Sequence, residues 1–156
     1  MTGRKQERSV STLPLPTADM PRLREALSAT GLPVDDLTQA GRRFFRFEAQ
    51  GDIAGYGGVE GAGAELLLRS VIVMPKWRRR GVGQAIVRSL EAEARRTGCM
   101  RLHVLTTTAS LFFQHASYAP TARVVAPPTI AATRQLASLC PANADYLVKQ
   151  LEPVPN

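Results

Sequence analysis

Residues 71–84 read Val71-Ile72-Val73-Met74-Pro75-Lys76-Trp77-Arg78-Arg79-Arg80-Gly81-Val82-Gly83-Gln84, and their order decides the fold. Val71 to Val73 is a β-branched run suited to the end of a buried strand. Pro75 has no N–H to give a sheet ladder, so the strand stops before it. Four cationic side chains and two glycines follow, and a helical pattern begins near Gln84. Strand, basic glycine-bearing turn and helix N-terminus together form a cradle for phosphate. The first amides of a helix are unpaired and lie at the positive end of its macrodipole. Glycine lets the main chain approach a diphosphate closely. Lys76, Arg78, Arg79 and Arg80 add charge and donors that suit phosphate oxygens. No Gly-Lys-Ser/Thr follows, so this is not a Walker loop, and the three-glycine spacing of a dinucleotide fingerprint is absent.

The segment Arg78-Arg79-Arg80-Gly81-Val82-Gly83 fits Arg/Gln-x-x-Gly-x-Gly/Ala. In this it resembles the pyrophosphate loop of the GNAT superfamily of N-acetyltransferases. The resemblance implies that Arg78, Arg79, Arg80, Gly81, Val82, Gly83 and Gln84 hold the diphosphate of acetyl-coenzyme A (acetyl-CoA). It also implies an α/β (α+β layered) acyl-CoA N-acyltransferase fold, a mixed central sheet of about six or seven strands flanked by helices. In that family two central parallel strands part at a bulge. The pantetheine arm lies between them and pairs with the main chain of the first strand, here Val71, Ile72 and Val73.

The whole chain is consistent with that size of fold. Its 156 residues suit one domain over residues 13–151, between a disordered basic tail, 1–12, and a short C-terminal tail, 152–156. No apolar run approaches the ~20 residues of a membrane span, and no signal-peptide block opens the chain. The chain therefore reads as cytoplasmic. Cys99 and Cys140 form neither a disulfide framework nor a zinc spacing, so no metal is expected. The net charge of +7 comes largely from the loop and the N-terminal tail. Trp77 is the only aromatic in the basic loop, which favours a small anionic ligand over nucleic acid. A homodimer is left open.

Taken in order, Leu13 to Pro16 reads as an edge strand and Thr17 as the cap of a helix from Ala18 that ends at Gly31. Val34 to Ala40 reads as a short second helix. Phe44–Ala49, Ile53–Glu60 and Glu65–Val73 form a three-strand meander with glycine-bearing turns. A helix from Gln84 to Thr97, with a Glu91–Arg95 pair, leads to a parallel strand at Arg101–Thr106. A short helix over Ala109–Ala116, capped by Thr107 or Thr108, precedes a weak strand at Ala122–Val125. Thr129–Leu139 has helical spacing, and Ala144–Leu151 is a last strand.

The chemistry needs a polarised thioester, a deprotonated amine and a stabilised thiolate. Leu111-Phe112-Phe113-Gln114-His115-Ala116-Ser117-Tyr118 is similar to the family's Phe-Tyr-Glu-x-x-Gly-Phe, whose tyrosine often protonates the thiolate. The matching residue is Phe113, which has no proton to give, although it can touch the coenzyme arm. His103 stands where many relatives carry a glutamate, and Glu60 ends a central strand; these are the candidate bases. Arg69 is either an oxyanion clamp or a structural ion pair with Glu48 or Glu60, and Arg43 and Arg46 are further candidates for the substrate. Leu102-x-Val104-Leu105-Thr106-Thr107 is similar to the matching strand of N-acetylglutamate synthases. With Leu68-Arg69-Ser70, Phe44-Phe45-Arg46-Phe47 and Ser138-Leu139-Cys140-Pro141, the chain resembles the arsenic-resistance-associated N-acetyltransferases. That resemblance implies a small anionic amino acid of the arsinothricin or phosphinothricin type as acceptor. Two alternatives stand beside it: acetylation of protein or peptide amines, and a coenzyme-binding regulatory module without catalysis.

Overall fold

Consecutive buried residues in the central strands, Ala54 to Glu60 and Leu66 to Ser70, show that both faces of one sheet are covered. The structure, a computed structural model, describes residues 10–133, 135–139 and 144–152. Strand β1 (Ser11–Pro14) lies at one edge, followed by helix α1 (Met20–Ala29). Strands β2 (Arg42–Ala49), β3 (Asp52–Glu60) and β4 (Glu65–Val73) then form an antiparallel meander. Gln50 and Gly51 turn β2 into β3 with φ of 53° and 82°, the left-handed pair a tight hairpin needs. Helix α2 (Val82–Arg96) crosses to β5 (Arg101–Thr106), which runs parallel to β4. The rest is α3 (Ser110–His115), β6 (Ala119–Pro120), α4 (Pro128–Ala131) and β7 (Asp145–Gln150). The seven strands lie in the order β1-β2-β3-β4-β5-β7-β6.

Each face has its own core. On one side Ile86, Leu90 and Ala94 of α2 pack on Phe45, Phe47, Leu66, Leu68, Leu102 and Val104. On the other, Leu23 and Leu27 of α1 cover Phe44, Tyr56 and Ile72, and Ile130 covers Leu67 and Tyr146. Close seating of α2 depends on Gly55, where a Cβ would lie 2.2 Å from the Ile72 carbonyl oxygen and 2.7 Å from Ile86 Cδ1. No helix among the described residues is long and apolar enough to cross a membrane.

The meander, crossover and last strand follow the sequence reading closely, and several local expectations do not. Ser11 and Thr12, expected in a disordered tail, belong to β1 and pair with Glu48 and Phe47. Residues 17–19 form a 3-10 turn before α1, and Thr17 makes no cap. The expected helix at Val34–Ala40 is a run of turns, because Asp36 and Leu37 are drawn into the interior. Ala122–Val125 is not a strand: Val124 is 90% exposed, and Arg123–Val125 coils into a 3-10 turn. Thr129–Leu139 divides into α4 and a π-type turn at residues 135–139, with the Thr133 hydroxyl donating to the Ile130 carbonyl at the break. Residues 1–9, Cys140 and 153–156 lie outside the described residues.

Gly55→Val should cost about 3 kcal/mol or more, since overpacking here meets main chain as well as α2. The urea midpoint of the variant against the parent measures it.

Candidate functional site

Strand β4 carries one residue more than its partner β3. Tyr56 faces Ile72 and Gly58 faces Arg69, so Ser70 and Val71 together oppose Gly57. Ser70 takes the left-handed conformation, φ 58°, which makes this a bulge. On the other side, β4 and β5 stay in register only from Glu65–Arg101 to Leu68–Val104. Beyond that point β4 continues to Val73 and β5 to Thr106 without pairing. A cleft of about 290 Å³ opens between them. Ser70 to Val73 form one wall, and Leu105 to Ala109 with Phe113 form the other. The β4 edge facing this wedge has no strand partner from Ser70 onward, so its main chain can pair with an extended ligand.

At the open end of the wedge lies the basic loop. Trp77 is its anchor: the indole is 2% exposed, with Lys76 Nζ and the Arg80 guanidinium 5.6 and 5.5 Å from its ring centre. Lys76 is held by Asp52 at 2.8 Å. Arg78 Nε donates to the Val73 carbonyl at 3.1 Å, tying the loop to the end of β4. Arg79, at φ 62°, and Gly81, at φ 79°, bend the chain into α2. Arg79 and Arg80 are exposed and form no ion pair among the described residues. Helix α2 starts at Val82, two residues before the expected start, and no side chain caps its first amides. A Cβ on Gly83 would sit 3.3 Å from the Phe112 ring, so α3 presses closely on this end of α2. Cationic side chains, uncapped amides and the wedge therefore meet at one place.

Of the residues expected to hold the acceptor, Arg69 does line the wedge but its guanidinium is engaged by carboxylates, and Arg43 and Arg46 lie outside it. Arg43 reaches Thr97 Oγ1 at 3.5 Å, near the end of α2. Arg46 pairs with Asp19 and, at 2.9 Å, with Glu48. Arg69 is buried and donates to both carboxyl oxygens of Asp36 at 2.6 and 2.7 Å and to Glu60 at 2.9 Å. Arg42 pairs with Asp36 and Glu60 in turn, at 3.0 and 3.3 Å. Of the two roles open to Arg69, the geometry has the ion pair, with Glu60 as one partner. Burial alone would raise the Asp36 carboxyl, but Arg69 and Arg42 outweigh it and hold it at about 2.

The expected base His103 is likewise committed. Its Nε2 lies 2.7 Å from Glu65 Oε1 and its Nδ1 2.6 Å from the Tyr146 hydroxyl. Burial lowers its pKa although Glu65 pulls the other way. The neutral ring then donates Nε2–H to the carboxylate and accepts from Tyr146, leaving no lone pair for an amine. Neither Glu60 nor His103 lines the wedge. Glu91 does not pair with Arg95 as expected; it accepts from Tyr118 at 2.9 Å and from Lys149 at 3.1 Å. Burial, then Glu91, pushes the Tyr118 phenol far up, so this tyrosine does not replace the missing acid. Phe113 does line the wedge, packed edge-on against Tyr118. The Thr106 hydroxyl, not Thr107 or Thr108, accepts from the Ala109 N–H at 2.9 Å at the start of α3.

A second cleft, about 490 Å³, lies between α1 and the ends of β3 and β4. It joins the wedge along Thr30, Ile72, Val73 and Arg78. Its polar lining includes Arg22, Glu25 and Tyr56, none of which the sequence reading singled out. Helical spacing of Arg22 and Glu25 was the available signal, but it does not say which face they share with Tyr56. No group of three metal-ligating side chains is placed to hold a metal among the described residues.

Asp36→Ala should cost about 3–5 kcal/mol, because it leaves Arg69 and Arg42 sharing one buried carboxylate. The Asp36 contribution is complete above its unfolded value of 3.8 and is lost as pH falls toward about 2. Acid unfolding of the parent should therefore steepen below pH ~4, and the alanine variant should lack that component.

A family model described as the acetyltransferase (GNAT) family matches residues 9–119. No curated protein matches significantly. Among solved structures, the chain is similar to N-acetylglutamate synthase of Neisseria gonorrhoeae, complexed with coenzyme A and L-arginine. There the TM-score is 0.76 and the identity 19%, over 94% of this chain and 34% of that one. The chain thus spans about a third of that protein's length. A Mycobacterium tuberculosis protein in complex with CoA and NLQ gives a TM-score of 0.71 at 16% identity, over 91% of this chain and 99% of that one. A GNAT-family acetyltransferase of Staphylococcus aureus gives 0.69 at 12%, over 92% and 100%. With the family model spanning the meander, the wedge, the basic loop and α3, the chain belongs to the GNAT acetyltransferase family.

Proposed function

We propose that this protein transfers an acetyl group from acetyl-CoA to the primary amine of a small anionic, amino-acid-like acceptor, by direct attack within a ternary complex. The observation that carries the reading is the junction of the unpaired β4 edge with the uncapped start of α2 and its cationic loop. The diphosphate sits on Arg78, Arg79, Arg80 and the amides from Gly81 to Gln84. The pantetheine arm runs back along Val73, Ile72 and Val71, with Phe113 on its far side. A main-chain N–H beside the Ser70 bulge polarises the thioester carbonyl.

The amine nitrogen attacks the carbonyl carbon, the carbon–sulfur bond breaks, and coenzyme A leaves as thiolate. The surplus amine proton passes to solvent. Among the described residues, no carboxylate or histidine lines the wedge to take it, and Phe113 cannot supply one to the sulfur. Rate enhancement in this reading comes from positioning and carbonyl polarisation. The finer acceptor class, arsinothricin or phosphinothricin, rests on the resemblance to the arsenic-resistance-associated N-acetyltransferases, carried by Leu102 to Thr107 with Leu68-Arg69-Ser70, Phe44-Phe45-Arg46-Phe47 and Ser138-Leu139-Cys140-Pro141. The anionic class is supported by Arg22 in the cleft that joins the wedge.

Thiol release by the purified protein, tested over α-amino acids with phosphinothricin and arsinothricin included, should show turnover with an anionic amino acid. Tight acetyl-CoA binding without turnover on any amine would instead favour a regulatory module. Gly81→Val forces a β-branched residue to φ 79° and should raise the acetyl-CoA KM about tenfold or more, leaving the acceptor KM near the parent value. An unchanged coenzyme KM would remove the loop from the site.

A further inference from the structure

The chain has three tyrosines, and their hydroxyls differ sharply in what they touch. Tyr118 donates to Glu91 and Tyr146 meets His103. Tyr56 is just as buried, at 2% exposure, yet its hydroxyl has no hydrogen-bond partner among the described residues. The ring is buried, but the hydroxyl oxygen is not sealed from solvent and so opens onto the cleft, where it is free to donate to a ligand. Tyr56 lines the second cleft, directly across the sheet from Ile72. That cleft has the volume of a small-molecule site and opens into the wedge.

The cleft's free donors point to an anion. Arg22 enters no ion pair among the described residues, and Arg78 spends only its Nε, on the Val73 carbonyl. Glu25 is the one carboxylate among the described residues lining it. Arg78 serves the diphosphate, so Arg22 is the guanidinium left to the acceptor, set against Glu25, with the Tyr56 hydroxyl as a second donor. The remaining walls are apolar, with Ala26, Ile53, Ile72 and Met74 among them.

Resting on the acetyltransferase reading above, we infer that the second cleft seats the acceptor: an amine with an apolar body whose oxyanion is held by the Tyr56 hydroxyl and the Arg22 guanidinium. The amine end then reaches the thioester beside Ser70 across Ile72, one of the four residues common to both clefts. Tyr56 has the protonation state this needs. Burial, then Asp19, raises its pKa, with Arg22 and Arg46 acting in the opposite sense, so it remains a donor at neutral pH. Asp19 pairs with Arg46 and makes no hydrogen bond to the hydroxyl. Tyr56 and Arg22 are thus specificity residues, and the cationic role assigned in the sequence to Arg69, Arg43 and Arg46 passes to Arg22.

The test compares amines with and without an oxyanion on one apolar body: L-leucine against 3-methylbutylamine, with L-glutamate and phosphinothricin alongside. Tyr56→Phe should leave the melting temperature equal or higher, since no protein hydrogen bond is lost. Its KM for the best oxyanion-bearing amine should rise about tenfold, with the acetyl-CoA KM unchanged. Arg22→Ala should do the same and Arg22→Lys should recover part of the loss. Both variants should narrow the preference for L-leucine over 3-methylbutylamine. An unchanged acceptor KM in both variants, or a rise in coenzyme KM instead, overturns the inference while leaving the acetyltransferase reading intact. A drop in melting temperature for Tyr56→Phe also overturns it, because the hydroxyl would then be structural. Absence of parent turnover on every amine overturns the reading itself, and the inference with it.

Discussion

Arg69 carries a permanent charge with no exposure of its side chain to water, and the centre of the fold is arranged to neutralise it. Two carboxylates, Asp36 and Glu60, and a second cation, Arg42, close the cluster at zero net charge. Such a group adds little stability over an apolar core, but any missing member is expensive. Its structural effect is to fix four segments relative to one another. Asp36 brings in the loop after α1, Arg42 the start of β2, Glu60 the end of β3 and Arg69 the middle of β4. The Arg69 guanidinium also lies 5.6 Å from the Phe44 ring centre, which joins the cluster to the α1 core.

The bulge that makes the wedge begins one residue after this fixed point. With Arg69 held, the left-handed Ser70 re-aims everything beyond it. Val71 and Val73 turn to the α2 face and Ile72 to the α1 face. Without the extra residue those three side chains would exchange faces. The same step takes β4 out of register with β5, so the cleft and its unpaired edge share one local cause. From there the chain runs directly through the Trp77-anchored turn into α2.

Much of this was legible in the sequence. The ends of β4 and β5 fall where the apolar runs stop, at Pro75 and at the Thr106–Thr108 cluster. The cationic turn and the helix behind it are encoded contiguously, so local rules suffice. What the sequence did not disclose was partner choice. A buried arginine on β4 requires a carboxylate, but nothing local names Asp36, thirty-three positions away and inside a segment that reads as a helix. His103 reads as a base because of its pKa and its strand, and only the fold shows Glu65 and Tyr146 on its two nitrogens. Arg43 and Arg46 sit close together on one strand yet serve opposite faces. Tyr56 drew no attention because a strand tyrosine usually finds a partner, and its lack of one is a three-dimensional fact.

The site therefore separates into a part written in main chain and a part written in side chains. Coenzyme recognition depends on an unpaired strand edge, helix amides and glycine geometry. Acceptor recognition depends on a few side chains around a second cleft. The most direct measurement of the central claim is a crystal structure with acetyl-CoA bound. The account predicts the pantetheine arm paired with the β4 main chain between Ser70 and Val73, and the diphosphate on the amides from Gly81 to Gln84. A coenzyme seated away from the wedge, or a β4 edge closed onto β5 in the complex, would contradict it.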